Sequence, residues 1–401
     1  MNIGNPELIH PARRTSLVQE YYFSRKLKQM EEMRRNGFPV INLGIGSPDL
    51  PPHPDVSEEL SKVSANPGAH GYQSYNGILP LREAFSSWYS SFFNVELDPS
   101  GEILPLLGSK EGIMHVSMAF VNPGDEVLIP DPGYPAYESV TRMVGGSVRY
   151  YDLLEKNGWY PDLNLLEKQG LKKVKLMWVN YPHMPTGTKA TRELFENLVA
   201  FARKHHILIC NDNPYSFILN EEYLSILEVE GAREVALELN SLSKSHNMAG
   251  WRVGMIGGHR EYIKSILQVK SNMDSGMFLG IQKAAVKALN ADASWYKSLN
   301  SAYHDRRKIA FEILKELGCE LDPRQAGLFL WARIPGTWSS SEDFADYLLR
   351  ELNLFLTPGF IFGKNGNPYI RISLCSNKAL LSTALERIME ANTNSMIGKT
   401  A

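Results

Sequence analysis

Only three cysteines (Cys210, Cys319 and Cys375) occur among the 401 residues. They are too few for a disulfide framework, and their spacing holds no CxxC metal pair. Such sparing use suits a reducing compartment. No apolar run approaches the roughly 20 residues that a membrane span needs. The first fourteen residues also lack the apolar stretch of a secretory signal. Charge of one sign is missing as well: 42 Lys and Arg face 44 Asp and Glu, a net of −2. A chain so balanced has no global field to hold nucleic acid or an anionic membrane. It contains no low-complexity tract and no fixed-period repeat. The expectation is a cytoplasmic protein with no nucleic-acid, membrane or metal partner.

What remains is an ordinary globular composition, 43% hydrophobic and 21% charged. At about 150 residues per domain, the length suggests two or three domains. Residues 1–45 read as an arm, a helix over 16–35 that Asn36-Gly37 ends, and a short strand over 40–44. This part would pack on a small domain or a partner subunit. Residues 46–290 form the expected large domain. Within it, runs 126–130 (EVLIP), 175–179 (KLMWV), 207–210 (ILIC) and 235–239 (VALEL) are buried strands. Between the second and third, Leu194, Leu198, Phe201, Ala202 and His205 fall on one helical face. Strand, helix, strand predicts an α/β fold whose mainly parallel sheet is sandwiched by helices. Residues 291–401 form the expected smaller α+β domain, with helices at 302–317, 341–352 and 379–391 and strands near 328–333 and 369–373.

Strand ends feed the ligand crevice in such sheets, so the residues following each strand carry the chemical argument. Gly108 and Ser109 open a helix whose unpaired N–H groups can face a phosphate. Ser241, Ser243 and Arg252 add hydroxyls and a forked cation. Asp212 is a carboxylate that must meet a partner if buried. Lys244 stands among Ser and Asn, where neighbouring cations and desolvation lower an amine's pKa and make it a nucleophile. Each has a plainer reading taken singly: a surface lysine, a turn aspartate, an ordinary helix start, and packing roles for Tyr72, Tyr134 and Tyr215. The ordered set is what carries weight.

That set resembles the class I/II aminotransferases of pyridoxal-phosphate (PLP) fold type I. The matching segments are 43–46 (LGIG), 72–82 (YQSYNGILPLR), 243–254 (SKSHNMAGWRVG), 359–363 (GFIFG) and 369–373 (YIRIS). The resemblance implies that Lys244 forms the Schiff base with PLP and then shuttles the substrate proton. It implies that Asp212 meets the pyridine nitrogen, Tyr215 bonds the ring O3′, and Tyr134 stacks on the ring. The backbone at Ser109 and Lys110, with Ser241 and Arg252, would hold the phosphate. Tyr72 would reach the phosphate of a neighbouring subunit, which implies a homodimer. Arg371 would fork onto the substrate α-carboxylate, and Gly46 would lie beside the substrate. The reaction implied moves an amino group between an L-amino acid and a 2-oxo acid.

One position departs from the family. Met184 stands where an asparagine usually donates to O3′ and supports the substrate carboxylate. Alternatives on the same fold are a β-eliminating cysteine–sulfur lyase, a decarboxylase, or a PLP-binding regulator without turnover. A nicotinamide fingerprint at Gly44-Ile45-Gly46 fails, because Asp49 replaces the third glycine. Arg25 and Lys270 are the candidates for a distal-carboxylate cation, with surface charge as the plainer reading of both.

Overall fold

In the run 174–179, Leu176 and Trp178 join one core while Met177 and Val179 join another. A strand apolar on both faces must be covered on both. The computed structural model describes residues 9–18 and 22–397. Its strands are β1 (Ile41–Asn42), β2 (Ile103–Leu106), β3 (Glu126–Asp131), β4 (Ser147–Asp152), β5 (Val174–Val179) and β6 (Leu208–Asp212). They continue with β7 (Ala236–Ser241), β8 (Gly254–Gly258), β9 (Phe329–Arg333), β10 (Leu354–Phe355), β11 (Thr357–Pro358) and β12 (Tyr369–Ser373). Seven of them form one sheet in the order β2-β8-β7-β6-β5-β3-β4. Pairings from β4 through β7 are parallel, and β8 runs antiparallel to both β7 and β2. The expected α/β sandwich is therefore present.

Helices Leu79–Phe93, Arg192–His205 and Leu279–Leu289 cover one face. Helices Ser109–Phe120, Pro135–Met143 and Arg260–Lys270 cover the other. Arg192–His205 shows why these segments are helical. Thr191 caps its start by accepting from Leu194 N at 3.1 Å, and His206 ends it at φ 55°. Leu194, Leu198, Phe201 and Ala202 are buried as their spacing predicts. His205 instead meets Glu167 at 2.8 Å on the helix rim.

A third core joins the antiparallel sheet β11-β12-β9 to helices Ala293–Glu316, Ser341–Leu352 and Lys378–Ile397. Ile41 and Leu43 belong to this core, and β1 pairs in parallel with β10. Three readings needed correction. The first long helix begins at Tyr22, because Arg13–Leu17 is a separate 3₁₀ turn that Val18 ends in extended backbone; residues 19–21 of the expected helix lie outside the described residues. The strand expected at 40–44 shrinks to two residues, since Asn42 turns its side chain back onto Gly44 N. The helix expected at 302–317 starts nine residues earlier, where Asp292 caps Ser294 N.

Candidate active site

The carboxyl ends of β5, β6 and β7 lie side by side, the edge at which open α/β sheets bind ligands. A cavity of about 380 Å³ opens there. It is lined by Gly46, Ser109, Lys110, Tyr134, Asp212, Tyr215, Ser241, Lys244, Arg252 and Arg371, all but one of the residues to which the family resemblance assigns a role. The exception is Tyr72, which stands 92% exposed on the surface.

One end of the cavity is shaped for an anion. Gly108 has φ +85°, and a Cβ there would run into the Arg252 guanidinium. The helix Ser109–Phe120 begins at once and aims its first N–H groups at the same space. Arg252 is fixed by donating to Ala249 O at 2.9 Å and to Leu107 O at 3.4 Å. Ser241 Oγ donates to Ser243 Oγ at 2.8 Å. A Cβ on Gly254 would fall 3.2 Å from Ser109 N, so the absence of one lets β8 approach the helix start.

Asp212 ends β6 with 5% exposure. Its Oδ2 accepts from the Tyr137 hydroxyl at 3.0 Å, while Oδ1 is buried with no hydrogen-bond partner. Burial pushes the carboxyl up to about 6, against the lowering effects of the Tyr137 hydroxyl and of the nearby Ser109 hydroxyl, which does not reach Oδ1 as a hydrogen bond. A buried acid with one bare oxygen calls for a cation or an N–H from a ligand. Tyr137 is held in line by stacking on Trp178 at 5.0 Å. Asn180 Nδ2 donates to the Asp212 carbonyl. Asn180, the first residue after β5, stands at a strand end that the sequence marks for chemistry, but its own role was not read; Tyr137 was not foreseen and gave no signal beyond lying one helical turn after Tyr134.

Lys244 sits in the single turn Leu242–Ser245 that follows β7. Its Nζ donates to Gly46 O at 2.7 Å. Burial above all, with the Arg371 and Arg252 cations, holds its pKa below the usual lysine value. Any side chain at Gly46 would strike the Phe329 ring. Tyr215 faces Phe329 edge-on at 6.0 Å, and burial raises its phenol.

Arg371 closes the opposite end. It is 5% exposed, donates Nη2 to Gly44 O at 2.9 Å, and lies 3.9 Å and 4.8 Å from the ring centroids of Phe329 and Phe362. Met184 Sδ is 3.3 Å from Arg371 Nη1. Asn180, the one asparagine lining the cavity, spends its amide on Asp212 O, and its Oδ1 accepts from Met184 N at 2.8 Å. Among the described residues, no side-chain amide takes the place of the missing asparagine. Phe23, Leu27 and Ile45 complete an apolar wall.

Neither distal-cation candidate lines this cavity. Lys270 is 3% exposed, and its ammonium lies beside Asp274 and 3.7 Å from Glu111. It is neither a surface charge nor a substrate ligand. Arg25 is exposed on the helix Tyr22–Arg35.

An anion cradle, an acid with a bare oxygen, a depressed amine and a forked cation suit a phosphorylated heteroaromatic aldehyde beside an α-amino acid. Comparison with known proteins agrees. The sequence pattern of the family "Aminotransferase class I and II" matches residues 39–388. An LL-diaminopimelate aminotransferase of Oleidesulfovibrio alaskensis is 40% identical over 380 residues, 94% of this chain and 98% of that protein. One of Aquifex aeolicus is 40% identical over 94% of this chain and 97% of its own length. Among solved structures, apo-BacF from Bacillus subtilis superposes with a TM-score of 0.92 at 36% identity, covering 96% of this chain and 99% of its own. An aminotransferase from Staphylococcus aureus gives 0.86 at 30% identity, covering 95% and 98%. The chain belongs to the class I and II aminotransferases and is an enzyme of amino-group transfer on the fold-type-I architecture of that family.

Proposed function

We propose that this aminotransferase works with PLP bonded to Lys244 and moves an amino group between an L-amino acid and a 2-oxo acid. The observation that carries the reading is the pairing of the depressed Lys244 amine with the bare, buried Oδ1 of Asp212. The residues fit the cofactor along its length. Gly108, the N–H groups of Ser109 and Lys110, Ser241 and Arg252 would hold the phosphate. Asp212 would meet the ring nitrogen, Tyr215 would donate to O3′, and Tyr134 would cover the ring face. When bound, PLP supplies an electron sink for the substrate Cα–H bond.

The chain's own groups do the rest. The Arg371 fork holds the α-carboxylate and thereby sets which Cα bond faces the ring. Gly46 leaves room beside the substrate. Lys244, neutral at lower pH than an ordinary lysine, would take the substrate Cα proton and deliver it to C4′ of the cofactor, two bonds away. Phe23, Leu27 and Ile45 keep water from the reacting centre.

The names of the relatives make LL-diaminopimelate the first donor to test. A second reading rests on the wall itself: Phe23, Leu27, Ile45, Phe329 and Phe362 favour a donor with an apolar or aromatic side chain. A panel containing LL-diaminopimelate, leucine, phenylalanine and glutamate, with pyruvate or 2-oxoglutarate as acceptor, separates the two. Equimolar oxo acid and new amino acid are expected. Ammonia released without an acceptor would assign a lyase instead.

A homodimer is supported by exposed apolar groups on one stretch, Tyr72, Tyr75 and Leu79. The proposed division into 1–45, 46–290 and 291–401 is supported by the C-terminal core, which takes in Ile41 and Leu43 of the first segment, while Tyr296 packs in the core of the large sheet. Three unpaired, buried cysteines suit a cytoplasmic location.

A further inference from the structure

Gly46 carries the carbonyl that holds Lys244, so whatever fixes its loop also fixes the amine. The incoming limb is tied several ways. Ser373 N donates to Leu43 O at 2.7 Å, Thr357 Oγ1 to Gly44 O at 2.8 Å, and Asn42 Oδ1 accepts from Gly44 N at 3.0 Å. Among the described residues, two side chains tie the outgoing limb by hydrogen bonds. Asn247 Nδ2 donates to Pro51 O at 3.1 Å. Arg306, from the helix Ala293–Glu316, grips Asp49 with both prongs, Nη1 to Oδ1 at 2.6 Å and Nη2 to Oδ2 at 3.0 Å.

Arg306 is 5% exposed, deep for a cation, and its fork matches the carboxylate in the strongest geometry an ion pair adopts. Its Nη1 also donates to Leu374 O at 3.0 Å. Leu374 directly follows β12, the strand that carries Arg371. One guanidinium therefore binds the loop that seats the amine and the strand that seats the carboxylate fork.

We propose that Asp49 and Arg306 form a positioning pair that sets the span between Lys244 and Arg371, and with it the grip on an α-amino acid. This rests on the proposed roles of Lys244 and Arg371. The pair touches neither cofactor nor substrate. It acts by holding Gly46 O and the end of β12 in one frame, where an error of about 1 Å already costs rate or binding.

The test uses the full chain with Asp49→Asn, which keeps the shape and loses the charge, and Arg306→Lys, which keeps the charge and loses the fork. A partly buried pair remote from the cavity, Arg233 with Glu102 at 2.8 Å, supplies the control Arg233→Lys. Both test variants are expected to raise KM for donor and acceptor about tenfold, while PLP affinity stays within about threefold because the phosphate cradle is untouched. Hydrogen exchange of the cofactor-free protein should quicken at residues 45–50 and stay unchanged in β5 and β6. The control should lower thermal stability and leave KM alone. KM within twofold of the parent, or exchange that rises uniformly, would overturn the pair. If the parent itself fails to bind PLP, the underlying reading falls instead, and the exchange result still reports on the loop.

Discussion

At the scale of single residues, Asp212 is a buried acid with an unpartnered oxygen, so its protonation responds to whatever meets it. Its folded pKa of about 6 lies above the ordinary 3.8. The folded protein therefore binds the extra proton between those values, and the cofactor-free fold loses stability as pH rises through that window. Two pH units correspond to about 3 kcal/mol at most. Asp212→Asn should thus melt higher than the parent at pH 8 without cofactor, with the gap closing near pH 4. The same change should abolish transamination, since an amide cannot keep the ring nitrogen protonated. Calorimetry across pH checks the first part and a coupled assay the second. Met184→Asn makes the complementary prediction. A donor restored near O3′ favours the ionised oxygen, which weakens its support for a proton on the neighbouring lysine linkage. One net hydrogen bond is worth about 0.5–1.5 kcal/mol, so the pH midpoint of the visible absorbance change should fall by roughly 0.4–1 unit. An unmoved midpoint would remove this position from the cofactor's surroundings.

At the scale of elements, the junction between β2 and the helix Ser109–Phe120 is the most exacting. Gly108→Ala would force a positive φ costing about 1–2 kcal/mol and would displace Arg252 as well. PLP affinity is expected to fall at least tenfold, measured by titrating cofactor-free protein, while the two cores of the sheet remain intact. This junction was legible in the sequence, because a glycine before a helix start has a physical meaning on its own. So were β5, β6 and β7, whose apolar runs must be buried. β8 was not: Gly254, Gly257 and Gly258 give it no periodic signal, and its place comes from glycines that admit Asn240 O and the Leu237 side chain. The apolar wall of Phe23, Leu27 and Ile45 was mostly hidden too, since residues on separate elements meet only after folding. Tyr137 was hidden for the same reason: its partner Asp212 lies 75 residues away.

At the scale of the whole molecule, two bodies of structure meet at the cavity. The seven-stranded sheet brings the amine, the acid and the phosphate cradle, and the C-terminal core brings Arg371 and Phe329. Tyr72 is exposed and does not line this cavity, so its proposed role requires a second copy of the chain. Sedimentation should find a dimer, and Tyr72→Phe should weaken PLP binding by roughly ten- to a hundredfold, the range for a hydrogen bond to a charged group. A monomer with undiminished affinity would remove Tyr72 from the site. Everything else depends on the amine at the end of β7. The most direct measurement is borohydride reduction of the PLP-loaded protein, followed by digestion and peptide mass spectrometry. A reduced pyridoxyl group on the peptide containing Lys244, and its loss in Lys244→Ala, is the predicted result; the label on any other lysine, or on none, would contradict it.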